Sequence, residues 1–179
     1  MLVNADFHVH SCFSSASSKD MLIKNMAPKA KLKGLDLLGT GDAFHPGWLD
    51  IIEETTVYSG DGIYTYDDMD FVLTTEVEGK NRIHHLIIIP DIDIARELSE
   101  KLVSKNKNVD GRPRTAYTGA ELLDMVRQYD CLIGTAHAFT PGLVCTSHMI
   151  VFMTATVKNR ILLNWVCLPI LIWLILFWN

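Results

Sequence analysis

Short apolar segments alternate with longer amphipathic segments over residues 1–136 of the chain. The apolar segments predict strands at residues 2–10, 35–38, 71–77, 83–89 and 131–136, and a hairpin at residues 56–66. The amphipathic segments predict helices over residues 21–33, 48–54, 91–105 and 118–129. Strands that alternate with helices favour an α/β fold, built as a parallel sheet or a barrel.

Three local signals refine these elements. The run from Ser59 to Gly62 supplies the turn of the hairpin. Thr118, with Glu121 three residues further on, forms a capping box that starts a helix. Lysines spaced along residues 21–33 indicate a helix that faces solvent, and Pro28 is expected to disturb it locally.

Side chains that can bind a metal ion lie at or just beyond the C-terminal ends of predicted strands. Six residues have this placement: His8, His10, Asp42, Glu76, His85 and His137. In an α/β barrel the side chains at these strand ends converge on one rim. His8 and His10 are separated by one residue, so on a strand both point to the same face. Imidazoles joined by carboxylates suit a divalent transition metal, and we predict a metal site at this rim.

Other interpretations stay open for single positions in this set. Asp42 also suits the N-cap of the following helix. Glu78 shares a face with Glu76, which we prefer because it is nearer the apolar body of the strand. His84 and His85 point to opposite faces of their strand, so one of them is a packing or solvated residue.

Composition excludes some classes of function. The 179 residues suit one domain or part of a larger one, and 49% of them are hydrophobic, which argues against disorder. The net charge of −5 argues against a protein that coats nucleic acid through bulk positive charge. The four cysteines form no C-x-x-C pair, and the chain starts without a charged leader. We therefore expect reduced thiols and a cytoplasmic location.

Five short motifs together carry a resemblance to a known family. Asp-Phe-His-Val-His-Ser at 6–11 resembles the first motif of the PHP superfamily, named for polymerase and histidinol phosphatase. The other motifs are Leu-Gly-Thr-Gly-Asp at 38–42, Leu-Thr-Thr-Glu-Val-Glu-Gly at 73–79, Ile-His-His-Leu at 83–86 and Gly-Thr-Ala-His-Ala-Phe-Thr-Pro at 134–141. With them, the chain resembles the endonuclease Q family, found mainly in archaea, from residue 1 to Pro141.

The resemblance implies a partial, distorted (β/α) barrel of PHP type, with only the N-terminal half of the domain present at residues 1–141. It implies divalent ions (Zn, Mn or Mg) and DNA nicking on the 5′ side of deaminated bases or abasic sites, with damaged DNA as the partner. The implied catalytic residues, which would also be metal ligands, are His8, His10, Asp42, Glu76 and His137. His85 is the sixth implied ligand, preferred to His84 because it immediately precedes an apolar run.

Beyond Pro141 the resemblance stops and the composition changes. Residues 142–179 contain Lys158 and Arg160 but no acidic residue. In a frame that begins at the last base of the Pro141 codon, the same gene can encode a family-like acidic continuation, and Met149-Ile150 then necessarily yields Asp. We therefore predict that residues 142–179 are an apolar, non-native frameshift product with no settled place in the fold. Catalysis by such a truncated chain would be impaired.

Three alternatives remain beside a DNA endonuclease. The first is a PHP-type phosphomonoesterase, and the second is an inactive fragment. The third is a tail-anchored membrane protein, because the uncharged residues 161–179 are long enough to span a bilayer. The frameshift interpretation instead predicts no stable membrane association.

Overall fold

A computed structural model describes residues 3–137 except 16 and 107, together with two short strands at residues 166–167 and 170–171. The predicted boundary at Pro141 and the alternative span at residues 161–179 therefore lie outside the described residues, apart from those two strands. Within the part that is described, no helix has the length and apolar character needed to cross a membrane.

The described elements follow the alternation predicted from the sequence. The strands are β1 (Ala5–Asp6), β2 (Leu37–Gly39), β3 (Val57–Gly60), β4 (Ile63–Tyr66), β5 (Met69–Glu78), β6 (His84–Ile89), β7 (Leu132–Thr135), β8 (Val166–Cys167) and β9 (Ile170–Leu171). The α-helices are α1 (Ile23–Leu32), α2 (Pro46–Thr55), α3 (Ile92–Lys101) and α4 (Gly119–Val126). Short 3-10 turns follow β5 at Lys80–Arg82 and α4 at Arg127–Tyr129.

The sheet is mixed, and it curls into a half-barrel around the long strand β5. β1, β2 and the first part of β5 are parallel, with Ala5 opposite Leu37 and Leu38 opposite Phe71. β4 pairs with the first part of β5 and β6 with the second part, both antiparallel, and β7 is antiparallel to β6. Of the two forms expected from the alternation of elements, the curled half-barrel is confirmed, and the sheet is mixed rather than parallel. The short links after β3 and β5 cannot make the long crossover that parallel neighbours need.

Two elements differ in detail from their prediction. The first strand is only Ala5–Asp6, so His8 and His10 lie in the extended segment after it rather than within a strand. Helix α1 runs without a break through Pro28, which lies on its exposed side. Its other face is buried and carries Ile23 and Ala30.

The two local signals for turn and cap are confirmed. β3 and β4 form an antiparallel hairpin in which Asp61 and Gly62 both have positive φ, at 52° and 80°. Such backbone angles suit the right-handed twist of a hairpin. At the start of α4, the Thr118 hydroxyl accepts a hydrogen bond from the Glu121 backbone N–H, and the Glu121 carboxylate accepts one from the Thr118 backbone N–H.

The hydrophobic core lies between the sheet and its helices. Five of its fully buried side chains belong to α2, α3 and the two central strands: Trp48, Ile52, Leu73, Ile87 and Leu98. In α2 and α3 the buried positions recur every three or four residues, which is the spacing of one helix face. Side chains of β5 and β6 belong to this core, and both strands also supply candidate site residues.

Candidate metal centre

The candidate residues meet at one edge of the sheet, and strand direction explains why. β1, β2, β5 and β7 all point toward this edge, so residues at or after their C-terminal ends lie there. β6 runs the opposite way, so its first residue, His84, reaches the same edge. We call this edge the rim.

Glu76 lies at the centre of a cluster of four histidines. Its Oε1 atom is 2.8 Å from His84 Nδ1, 3.0 Å from His137 Nε2 and 3.3 Å from His8 Nε2. Its Oε2 atom is 3.3 Å from His10 Nε2. Only 2% of the Glu76 side chain is exposed. One carboxylate buried among four imidazoles is a set of donors that suits a bound cation.

Two glycines of the 38–42 motif allow the histidine-bearing segment to approach the sheet. A Cβ atom on Gly41 would lie 2.4 Å from the carbonyl oxygen of Val9, and one on Gly39 would lie 2.7 Å from that of Phe7. Both distances are too short for any side chain. Gly41 also has φ of +64°, which glycine adopts without strain. The motif glycines therefore place His8 and His10 against the ends of β2 and β5.

Asp42 lies behind His10, outside both groups of ligand atoms in the cluster. Its Oδ1 atom is 3.1 Å from His10 Nδ1, and its Oδ2 atom accepts hydrogen bonds from the backbone N–H and hydroxyl of Ser11, both at 2.7 Å. The Ser14 hydroxyl lies 3.0 Å from each oxygen. The carboxylate is completely buried. Carboxylates that hold the second nitrogen of a ligating histidine fix its tautomer and orientation, and Asp42 is placed for that role.

Replacing Gly111 with alanine should destabilise the protein by about 1–3 kcal/mol, the usual cost of overpacking. A Cβ atom at this position would lie 2.4 Å from the Asp42 carboxyl carbon, which the two serines hold in place. Gly47→Ala is the matched control, because its Cβ would meet the rings of Phe13 at 3.4 Å and His45 at 3.5 Å, which are ordinary contact distances. Urea unfolding followed by circular dichroism measures both. Equal stabilities for the two variants would contradict the close contact.

The carboxylates of the cluster favour a charged His10, whereas the histidines oppose one another's positive charge. Burial opposes the charged form of His10, but hydrogen bonds and charges from Asp42 and Glu76 outweigh it and raise the pKa of His10 to about 9. Burial also opposes ionisation of Glu76, yet hydrogen bonds from His10 and His8 hold its pKa well below the usual value. Burial lowers the pKa of His137, and the charge of His8 lowers it further. The cluster therefore holds a carboxylate anion among groups that compete for positive charge.

The geometry places His84, and not the preferred His85, beside Glu76. In the β5–β6 register His84 lies opposite Glu78, so it shares the face of Glu76, whereas His85 lies opposite Val77 on the other face. The His85 imidazole packs against Gly79 and Gly119 and is 6% exposed. Burial and the nearby His84 lower the pKa of His85 to about 4. The sequence criterion, an adjacent apolar run, marks the buried face of β6 and not the rim.

The sequence reasoning missed Arg112, whose Nη1 atom lies 3.9 Å from Glu76 Oε2. Of the two glutamates on this strand face, Glu76 is the one preferred from the sequence. Glu78 lies further out than Glu76, with its Oε2 atom 3.7 Å from His84 Nε2 and 3.5 Å from Arg114 Nε. The Gly-Arg-Pro-Arg run that carries Arg112 has no periodicity that would reveal its position.

The cluster fits a divalent metal ion on the chemistry of its donors. Two groups of ligand atoms are present, His8–His10–Glu76 and Glu76–His84–His137, and within each group the atoms lie within 4.8 Å of one another. Glu76 Oε2 is buried, and its closest polar contact among the described residues is His10 Nε2 at 3.3 Å, so it retains the capacity to bind a cation. Imidazole nitrogens with a carboxylate oxygen suit Zn²⁺ and other first-row divalent ions.

The fold and this cluster define the class: a half-barrel of PHP type with a candidate metal centre at its rim. No family model matches the chain. It is similar to the lesion-specific endonuclease PfuEndoQ of Pyrococcus furiosus, with 42% identity, a TM-score of 0.77, and coverage of 80% of this chain and 36% of that one. A structure of endonuclease Q with a 27-mer duplex substrate that carries an abasic lesion gives 43% identity, a TM-score of 0.75, and coverage of 79% and 36%. The chain is thus related to endonuclease Q over most of its length.

Two further similarities mark the extent of this relationship. The uncharacterised protein MJ0043 of Methanocaldococcus jannaschii is 46% identical over 143 residues, which are 79% of this chain and 17% of that protein. PsfC of Pseudomonas syringae, at 23% identity and a TM-score of 0.56, shares the fold alone. The chain spans about a third of the endonuclease Q chains and a smaller part of MJ0043.

Proposed function

We propose that the chain carries part of the active site of a metal-dependent endonuclease that hydrolyses phosphodiester bonds in damaged DNA. The observation that carries the proposal is Glu76, buried among four histidines, in a chain related to endonuclease Q. The substrate class is DNA cleaved on the 5′ side of deaminated bases or abasic sites. A lesion weakens base stacking, so a damaged nucleotide is unstacked at low cost. The proposed compartment is the cytoplasm.

Each residue of the cluster has a distinct part in this proposal. His8, His10, Glu76, His84 and His137 would hold Zn²⁺, Mn²⁺ or Mg²⁺. Divalent ions at such a site lower the pKa of a bound water and stabilise charge on the attacked phosphate. Asp42 orients His10 through its Nδ1 atom, and Ser11 and Ser14 orient Asp42. His85 supports the site only through packing.

We expect His10→Ala to abolish nicking without unfolding the protein, because His10 links Asp42 to Glu76 at the rim. The assay uses end-labelled duplexes with one uracil, one hypoxanthine, one abasic site or no lesion, incubated with Mn²⁺, Mg²⁺ or Zn²⁺. Denaturing gels locate the cut, and circular dichroism checks the fold. The Pyrococcus furiosus endonuclease serves as the positive control. Full activity in excess chelator, or unchanged nicking by the variant, would remove the metal-dependent mechanism.

Two further comparisons complete this test. Preferential hydrolysis of p-nitrophenyl phosphate over damaged DNA would favour the phosphomonoesterase alternative. The expected impairment of the 179-residue chain is tested by its nicking rate relative to that of the positive control. Activity equal to the control would contradict the impairment.

A further inference from the structure

The loop between α3 and α4 is held firmly against the rim. Glu78 at the end of β5 donates its backbone N–H to the carbonyl of Pro113 and accepts a hydrogen bond from the Thr115 N–H, at 3.0 and 2.8 Å. The Asn106 side chain bridges the loop by donating to the Arg112 carbonyl and accepting from the Arg114 N–H. Hydrogen bonds on both sides therefore hold the backbone of Arg112, and they fix the position of its Cα atom.

Hydrogen bonding leaves the guanidinium of Arg112 unsatisfied among the described residues. Its contact with Glu76, at 3.9 Å between Nη1 and Oε2, is too long for a hydrogen bond. Its Nε atom is buried with no partner in the described part of the chain. Leaving a charged donor in this state is costly unless a partner arrives. The side chain is 26% exposed, so part of it is accessible at the rim.

We propose that Arg112 binds a non-bridging phosphate oxygen of the DNA strand, beside the histidine cluster. A guanidinium offers a planar fork of donors that matches two phosphate oxygens. This inference rests on the proposed function, because DNA supplies the phosphodiester. The simpler role, in which Arg112 only balances the charge of Glu76, is a competing outcome of the test.

Binding is measured apart from cleavage, on the full 179-residue chain in excess chelator. The probe is a fluorescein-labelled 20-base-pair duplex with one abasic site, followed by anisotropy from low to moderate salt. Arg112→Gln should weaken binding about 10-fold and lower the slope of log K against log salt by about 1, as the loss of one phosphate contact requires. Arg112→Lys should keep the slope and recover part of the affinity.

Arg127→Gln is the matched control. Arg127 is exposed and lies 3.2 Å from Asp124, just after α4 at the edge where β7 begins, opposite the rim. This variant should keep both the affinity and the slope. Thermal unfolding of all variants checks that the fold is intact.

The outcomes separate the two proposals. An unchanged slope in Arg112→Gln overturns the phosphate contact, even if its melting temperature or metal affinity changes, and so does a wild-type chain that does not bind the duplex. If that variant nicks DNA normally, the proposed function holds without the phosphate contact. If binding depends on Arg112 but the chain never nicks DNA, the phosphate contact is supported and the proposed endonuclease activity is contradicted.

Discussion

Glu76→Gln is expected to abolish metal binding and DNA nicking together. The carboxylate contacts all four histidines of the cluster, and glutamine keeps its shape while removing the charge and one acceptor oxygen. Losing an outer partner of a metal site typically costs 10- to 100-fold in affinity, and the loss of a shared ligand should exceed roughly 100-fold. Metal content after dialysis and calorimetric titration with Mn²⁺ or Zn²⁺ measure the effect.

Glu78→Gln provides the control for this change. Glu78 lies on the same strand face, but it is partly exposed, and it is 3.7 Å from only one histidine of the cluster. Its replacement should lower metal affinity by less than about 10-fold. If Glu78→Gln lost the metal while Glu76→Gln kept it, the central place of Glu76 in the site would be wrong.

Alanine at His84 and at His85 should produce opposite defects. His84→Ala removes a nitrogen 2.8 Å from Glu76, so metal binding and nicking should fall by at least 100-fold while the fold survives. His85→Ala leaves a hole between Gly79 and Gly119 and should cost about 1–3 kcal/mol of stability. Metal affinity per folded molecule should then stay close to that of the wild type.

Two measurements on each variant separate these defects. Urea unfolding in chelator gives the stability without metal, and metal titration below the unfolding transition gives the affinity. A chain in which His85→Ala, and not His84→Ala, loses the metal would restore the interpretation made from the sequence.

Most helices and strands could be predicted from the sequence, because turn signals, capping signals and periodicity depend on residues that are close together in the chain. The hairpin turn at Asp61 and Gly62 and the capping box at Thr118 depend only on neighbouring residues, and both are present. The antiparallel direction of β6 follows from the short link after β5, which cannot hold the crossover that a parallel neighbour needs. The prediction from the sequence used the alternation of strands and helices but not this link, and it therefore missed which face of β6 reaches the rim and with it the choice between His84 and His85.

The candidate site, like the fold, could be predicted only in part from the sequence. His8, His10, Glu76 and His137 could be grouped because each follows or ends a strand that points to the rim. Arg112 could not be found this way, because a loop placed it there by pairing with the end of β5. Asp42 was found, but its place behind His10 depends on Ser11 and Ser14, which become neighbours only in the folded chain.

The two ligand groups that share Glu76 become available at different stages of synthesis. The first group consists of His8, His10 and Glu76. The second group consists of Glu76, His84 and His137, and His137 is 61 residues beyond Glu76. A chain emerges from the ribosome N-terminus first, so β1, β2 and β5 can assemble while β7 does not yet exist. Glu76 thus acquires its partners in the order of the chain, and the final strand completes a rim whose first half is already formed.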